Sequence, residues 1–175
     1  MKKLSLSELN RISTEEFKKK KKTPLIVILD NVRSMNNVGA IFRTADAFAL
    51  EKIYLCGITA TPPNKEITKT ALGATESVNW EYREDVVALV KELKEGGVKS
   101  FILEQTDHSI MLHDFIPQKE EMIALILGNE VFGISEELLP EVNAALEIPQ
   151  FGTKHSLNVS IAGGIAIWEI FKKMS

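Results

Sequence analysis

The sequence predicts an α/β domain whose mainly parallel sheet is flanked by helices, and three observations predict it. Residues Leu25 to Leu29 form a continuous apolar run rich in β-branched side chains, the pattern of a strand buried on both faces. Similar runs alternate with helical patterns along the rest of the chain, as in βαβ units. The length of 175 residues suits one ordinary core and is too short for two.

Residues 1–22 read as a basic helical arm and residues 23–175 as the domain. In the arm, Ser5 with Glu8 and Ser13 with Glu16 have capping-box spacing, while Leu6, Leu9 and Ile12 give a short apolar stripe. One or two short helices running into Lys18 to Lys22 are expected, and Pro24 stops them. After the strand at Leu25 to Leu29 come a helix from Asn37 to Ala49 and a strand from Lys52 to Cys56. A loop with Pro62 and Pro63 leads to a short helix from Glu66 to Ala71, then a strand from Val78 to Tyr82. A helix from Asp85 to Glu95 is closed by Gly96 and Gly97. Strands follow at Lys99 to Leu103 and, beyond a polar loop, at Ile123 to Leu127. A short helix from Ser135 to Leu139 stops at Pro140. The last elements are a strand from Ala145 to Ile148, a loop from Pro149 to Leu157 and a helix from Asn158 to Lys173.

Apolar residues make up 45% of the chain and charged residues 26%, which excludes disordered and fibrous classes. The apolar runs are far shorter than the ~20 residues needed to cross a bilayer, so no membrane partner is expected. The leucines of the N-terminal segment are interrupted by Ser5, Ser7 and Glu8, so export is not indicated. Cys56, alone in the sequence, lies in a strand-like run where a buried free thiol is the natural reading. A reducing, cytoplasmic setting is expected.

The net charge of -3 first argues against a nucleic-acid partner, but the charge is unevenly spread. The arm holds eight basic and three acidic side chains, whereas residues 76–147 hold five and sixteen. An arm and a first third that are neutral to basic can face an anionic polymer while the acidic middle faces water. Lysines of the arm would contact phosphates without reading sequence, with an affinity that falls steeply with salt.

Common cofactor signatures are missing. No G-x-G-x-x-G follows a strand, and Gly128 to Gly133 has phosphate-loop glycine spacing without the Lys and Ser/Thr that bind phosphate and magnesium. Asp107, His108, His113 and Asp114 match none of the usual zinc patterns, so no metal is expected. Ser156 directly follows His155, and no nucleophile elbow exists.

Three segments place polar residues where a strand meets a loop, the usual position of ligand sites in open α/β sheets. In the first, residues 30–44, Gly39 and Ala40 permit close backbone approach, and Arg43 stands one turn up the helix with a forked donor suited to phosphate. In the second, residues 126–135, a buried strand runs into Gly128 and then Glu130. In the third, residues 148–164, a polar loop leads into a helix at Asn158 that carries Ala162, Gly163 and Gly164.

Together, in this order, the three segments closely resemble the motifs of the SpoU family of RNA 2'-O-ribose methyltransferases in the SPOUT superfamily. Residues 36–43 (NNVGAIFR) resemble the first motif, 126–133 (ILGNEVFG) the second and 148–160 (IPQFGTKHSLNVS) the third. The likeness runs from residue 24 to the end. It implies an α/β sheet with a deep C-terminal trefoil knot, S-adenosyl-L-methionine as cofactor, and a homodimer through the knot region that includes the last helix. It implies methyl transfer to a ribose 2'-hydroxyl of RNA. The compact chain favours tRNA, with guanosine a candidate nucleotide; rRNA is the alternative, and a catalytically inactive knotted RNA-binding module is a second one.

By the same resemblance Arg43 is catalytic. A guanidinium is a poor proton acceptor, so its expected part is to bind the adjacent phosphate and stabilise the developing alkoxide, while the phosphate takes the proton. Asn37 would orient Arg43 or the ribose, Glu130 would shape the site, and Ser156 and Asn158 would hold the reacting groups in register. Leu103, Gly128, Ile148 and Leu157 enter as backbone and packing contacts to the cofactor. Lys154 and His155 lie beside the third motif, facing RNA or solvent.

Overall fold

A computed structural model of the chain describes residues 1–5, 8, 12–154 and 156–175. Seven strands form one sheet in which every pairing is parallel. They are β1 (Thr23–Asp30), β2 (Leu50–Cys56), β3 (Trp80–Arg83), β4 (Lys99–Leu103), β5 (Ile110–Met111), β6 (Ile123–Leu127) and β7 (Ala144–Glu147), in the spatial order β3-β2-β1-β6-β4-β7-β5. The helices are α1 (Thr14–Lys19), α2 (Met35–Ala47), α3 (Lys65–Ala71), α4 (Ala74–Ser77), α5 (Val86–Glu95) and α6 (Val159–Met174).

Alternation along the strands divides the core in two, because successive side chains point to opposite faces. Leu25, Val27 and Leu29 join Leu55, Leu125 and Leu127 on one face, under Val38, Ile41 and Phe42 of α2 and Ala166, Ile167 and Ile170 of α6. Ile26, Ile28, Cys56 and Ile126 occupy the other, under Leu89 and Val90 of α5. Both faces are therefore covered, which is why these strands read as continuous apolar runs. Burial pushes the Cys56 thiol up to about 12, so it stays protonated and inert.

The expected α/β order stands, with local differences that have physical causes. Helix α2 begins at Met35 rather than Asn37 because Ser34 caps it, its Oγ accepting from Asn37 N at 3.3 Å. The last helix begins just after Asn158, which is itself the cap. The segment after Ser135 is only a 3-10 turn (Glu136–Leu138), and α4 and the two-residue edge strand β5 were not anticipated.

In the arm, Ser13 and Glu16 form the reciprocal capping box, and Phe17 is buried in the main core. Ser5 N and Oγ both donate to Glu8. The stripe residues Leu6 and Leu9, like Ser7, Asn10, Arg11 and His155, lie outside the described residues. Among the described residues no helix is long and apolar enough to cross a membrane.

Candidate active site

Because all strands are parallel, β1, β4, β6 and β7 end at one edge of the sheet, where residues 33–34, 104–105, 128–133, 148–150 and 156–158 converge. The chain runs outward from β1 to β2 and β3, then crosses to the other side of β6. Crevices at such switch points are where open α/β sheets bind ligands. Here a cavity of about 600 Å³ opens between the ends of β4, β6 and β7, lined by residues that include Leu103, Leu127, Gly128, Ile148, Leu157 and Ala162. That volume falls in the ~300–1,000 Å³ range of small-molecule sites.

At its mouth the three sequence segments are tied together. The Glu130 carboxylate accepts from Arg33 N and Ser34 N, both at 2.9 Å, and from Asn37 Nδ2 at 3.0 Å. Asn158 Nδ2 donates to Asn37 Oδ1 at 3.2 Å, while Asn158 Oδ1 accepts from the first turn of α6, Ser160 N and Ile161 N. Partial burial would raise the Glu130 carboxyl, but the bonds from Arg33, Ser34 and Asn37 outweigh it and hold the group below the ordinary glutamate value. Glu130 is therefore a fixed anion at the start of α2, where the helix dipole favours it.

The turn that carries Glu130 is stiff. Asn129 N donates to Gly133 O and Gly133 N to Asn129 O, both at 2.9 Å. Asn129 Oδ1 accepts from Val131 N and Phe132 N, and its Nδ2 reaches Asn31 O at 2.7 Å. A Cβ on Gly128 would lie 2.5 Å from Gly133 C and O, so the turn closes only over a glycine. Ser135 Oγ anchors the far end by donating to Asp30 Oδ2 at 3.2 Å, and Asn31 Nδ2 donates to Asp30 Oδ1 at 2.7 Å. Burial raises the Asp30 carboxyl despite the bonds from the Ser135 side chain and backbone and from Asn31.

Of the residues expected at the site, Asn37, Glu130 and Asn158 meet directly, and Ser156 with Glu130 and Asn158 lines the cavity. All four expected cofactor positions, Leu103, Gly128, Ile148 and Leu157, line it as well. Arg43 does not: it is exposed on α2, outside the cavity lining, with no hydrogen bond or ion pair among the described residues. Lys154 is exposed, and His155 is outside the described residues. Asp30, Asn31 and Asn129 carry as much of the scaffold as the expected residues; the signal available for the first two was an abrupt polar pair after an apolar strand.

The lining suits a flat apolar body with a cationic end. Leu103, Leu127, Ile148 and Leu157 supply the apolar part, and Glu104, Glu130 and Glu147 supply negative charge. Glu104 accepts from Gln105 N at 3.0 Å and Ile134 N at 3.3 Å, and Glu147 accepts from Ser109 Oγ, so these carboxylates are held by the fold.

A model of the SpoU rRNA Methylase family matches residues 24–168. A 23S rRNA (guanosine-2'-O-)-methyltransferase of Neisseria meningitidis is 30% identical over 83% of this chain and 57% of its own length. A tRNA (guanosine(18)-2'-O)-methyltransferase of Thermus thermophilus is 29% identical over 93% of this chain and 82% of its own. Among solved structures, the TrmH/SpoU tRNA modifying enzyme of A. aeolicus superposes with a TM-score of 0.80 at 28% identity, covering 91% of this chain and 79% of that one. The AdoMet-bound rRNA methyltransferase of Sinorhizobium meliloti gives 0.78 at 31%, covering 85% and 56%. This chain thus spans little more than half the length of some of these proteins and most of others.

Proposed function

The chain belongs to the SpoU rRNA methylase family, and on that premise we propose that it is an S-adenosylmethionine-dependent methyltransferase acting on a ribose 2'-hydroxyl of RNA. We favour tRNA as the substrate, with rRNA the alternative. The observation that carries the reading is the Glu130–Asn37–Asn158 bridge at the mouth of the cavity. It makes one unit of three segments that are far apart in sequence, which a helix cap alone does not require. The names of the relatives support ribose 2'-O methylation and span both RNA classes.

When bound, S-adenosylmethionine supplies a methyl carbon that moves from the sulfonium sulfur to the ribose oxygen by in-line displacement. The cavity residues fit it: Leu103, Ile148 and Leu157 would offer apolar surface to an aromatic base, Gly128 would offer main-chain polar atoms, and Glu104, Glu130 and Glu147 would favour the positive charge. Asn37 and Asn158 keep the mouth in register. Arg43, whose guanidinium is unengaged among the described residues, binds a phosphate of the RNA and stabilises negative charge on the ribose oxygen. The phosphate oxygen takes the hydroxyl proton.

A homodimer belongs to this reading. Ile161, Ile165 and Trp168 are exposed along α6 at helical spacing, and a Cβ on Gly164 would meet nothing within 4 Å. That stripe supports pairing with a second α6. Gly163 is not part of it, since its Cβ would lie 2.7 Å from Leu127 Cδ1 inside the same chain. The trefoil knot is likewise included, supported by the insertion of β6 between β1 and β4 and by residues 148, 150 and 156–158 lining one cavity with the 128–133 turn.

The test is methylation of unmodified tRNA transcripts with labelled S-adenosylmethionine, followed by mapping of the modified ribose. One 2'-O-methyl position is expected. Absence of transfer to every tRNA and to rRNA overturns the reading.

A further inference from the structure

We propose that Phe132 and Phe151, on two loops at the cavity mouth, are stacking platforms for bases of a single-stranded stretch of the substrate RNA. The nucleotide to be methylated would then be presented splayed out rather than paired. The inference rests on the methyltransferase reading above and adds how the RNA is held.

Phe132 is 84% exposed and Phe151 97% exposed. Burying a phenyl ring contributes roughly 1.5–3 kcal/mol, so two rings left in water at one rim call for a partner. Phe132 is at the site by more than slack in the chain. Phe132 N is held by Asn129 Oδ1 at 3.0 Å, and the Asn129–Gly133 backbone pair closes the turn around it, so its position is set by the same turn that carries Glu130. Phe132 itself lines the cavity; Phe151 follows Gln150, which also lines it.

Charge narrows the chemistry of the partner. The cavity lining carries Glu104 and Glu147, with Glu130 at the mouth, and these carboxylates repel phosphate. The rim carries Arg33 and Lys154, both exposed and without an ion pair among the described residues. Arg33 is placed there by its own main chain, whose N donates to Glu130 at 2.9 Å. A polymer with flat apolar faces joined by anionic links fits exposed rings interleaved with cations. In a duplex those faces are stacked on one another, so only unpaired, splayed bases can use the rings.

The experiment compares Phe132→Ala, Phe151→Ala and the double variant with Phe132→Trp and Phe151→Trp. Binding of a fluorescein-labelled unmodified tRNA transcript is read by anisotropy, S-adenosylmethionine binding by calorimetry and molar mass by light scattering. Each alanine variant is expected to weaken RNA binding about 5-fold or more, as loss of a stacked base does, with mass unchanged; in Phe151→Ala, which lies outside the cavity lining, cofactor affinity stays within about 2-fold. The tryptophan variants should retain affinity, and their fluorescence should be quenched on adding RNA. Unaltered RNA affinity in the double variant, with wild-type methylation intact, overturns the inference and leaves the methyltransferase reading standing. Loss of cofactor binding in step with RNA binding assigns the rings to the cofactor, and a fall in mass assigns them to a contact between two copies; each overturns it. Wild-type protein that neither binds nor methylates RNA removes the methyltransferase reading, and this inference with it.

Discussion

Asn37 donates to Glu130 at 3.0 Å while accepting from Asn158 at 3.2 Å, so one amide in the first turn of α2 joins the loop after β6 to the cap of α6. An amide suits this place because it can give and take at once, whereas a carboxylate there would face Glu130 with like charge. The anion at one end of the bridge and the buried Asp30 behind it respond to pH with opposite signs.

The Glu130 carboxyl is held low in the folded protein, so its ionised form is stabilising. That stabilisation is present above the ordinary glutamate range and lost as pH falls through the lowered value. Glu130→Gln should cost about 1 kcal/mol near neutrality, the scale of a helix cap, and the difference from wild type should vanish in acid. Asp30 is raised by burial, so the wild-type protein loses stability as pH rises through its folded value. Asp30→Asn should therefore gain on wild type over that rise. Urea unfolding of the three proteins across acid to neutral pH checks both slopes; parallel curves would contradict them.

Gly128→Ala tests the closed turn. The added Cβ would lie 2.5 Å from Gly133 C and O and 2.7 Å from Ile134 N, all main-chain atoms that cannot swing aside. Overpacking of this kind costs about 1–3 kcal/mol. Since the turn forms one cavity wall, calorimetry should show S-adenosylmethionine affinity falling at least 10-fold, with the far-ultraviolet circular dichroism of the sheet retained.

How far the sequence announces this architecture depends on the reach of each signal. β6 falls at Ile123–Leu127, as the apolar run indicates, because a strand covered on both faces has no polar positions to blur its limits, and β4 falls at Lys99–Leu103, its start marked by the Gly96–Gly97 pair before it. Two residues at a sheet edge carry no period, so β5 is invisible. The insertion of β6 between β1 and β4 depends on pairings between segments about a hundred residues apart, such as Leu29 with Leu127, which local patterns do not encode. At the site, family resemblance points to Asn37, Glu130 and Asn158, which meet, and to Leu103, Gly128, Ile148 and Leu157, which line the cavity. Asn129 lies inside the second motif, yet an Asn in a loop resembles any turn residue until its three partners are seen.

The exposed stripe on α6 gives a prediction about assembly. Wild-type protein should run at twice the chain mass in light scattering at micromolar concentration. Ile165→Glu with Trp168→Glu places two charges in the stripe, where pairing would bury them side by side, and should leave a folded monomer. Because Trp168 also packs on Phe48 and Phe171, with ring centroids 5.6 and 6.1 Å away, Ile165→Glu alone serves as the variant least able to disturb the fold. A wild-type monomer would remove the dimer from the proposal.

Arg43 separates a chemical role from a structural one more cleanly than any other residue at hand. It makes no hydrogen bond or ion pair among the described residues, so Arg43→Ala should unfold at the wild-type urea midpoint and bind S-adenosylmethionine with wild-type affinity. If its guanidinium steadies the substrate phosphate and the charge forming on the ribose oxygen, single-turnover transfer should fall by about 100-fold or more. Arg43→Lys keeps the charge and loses the planar fork, so partial activity is expected, well above the alanine variant. Wild-type transfer rates in Arg43→Ala would remove this residue from the chemistry. Loss of cofactor binding in step with transfer would instead make Arg43 a support of the cavity, reached across a contact that one chain does not contain.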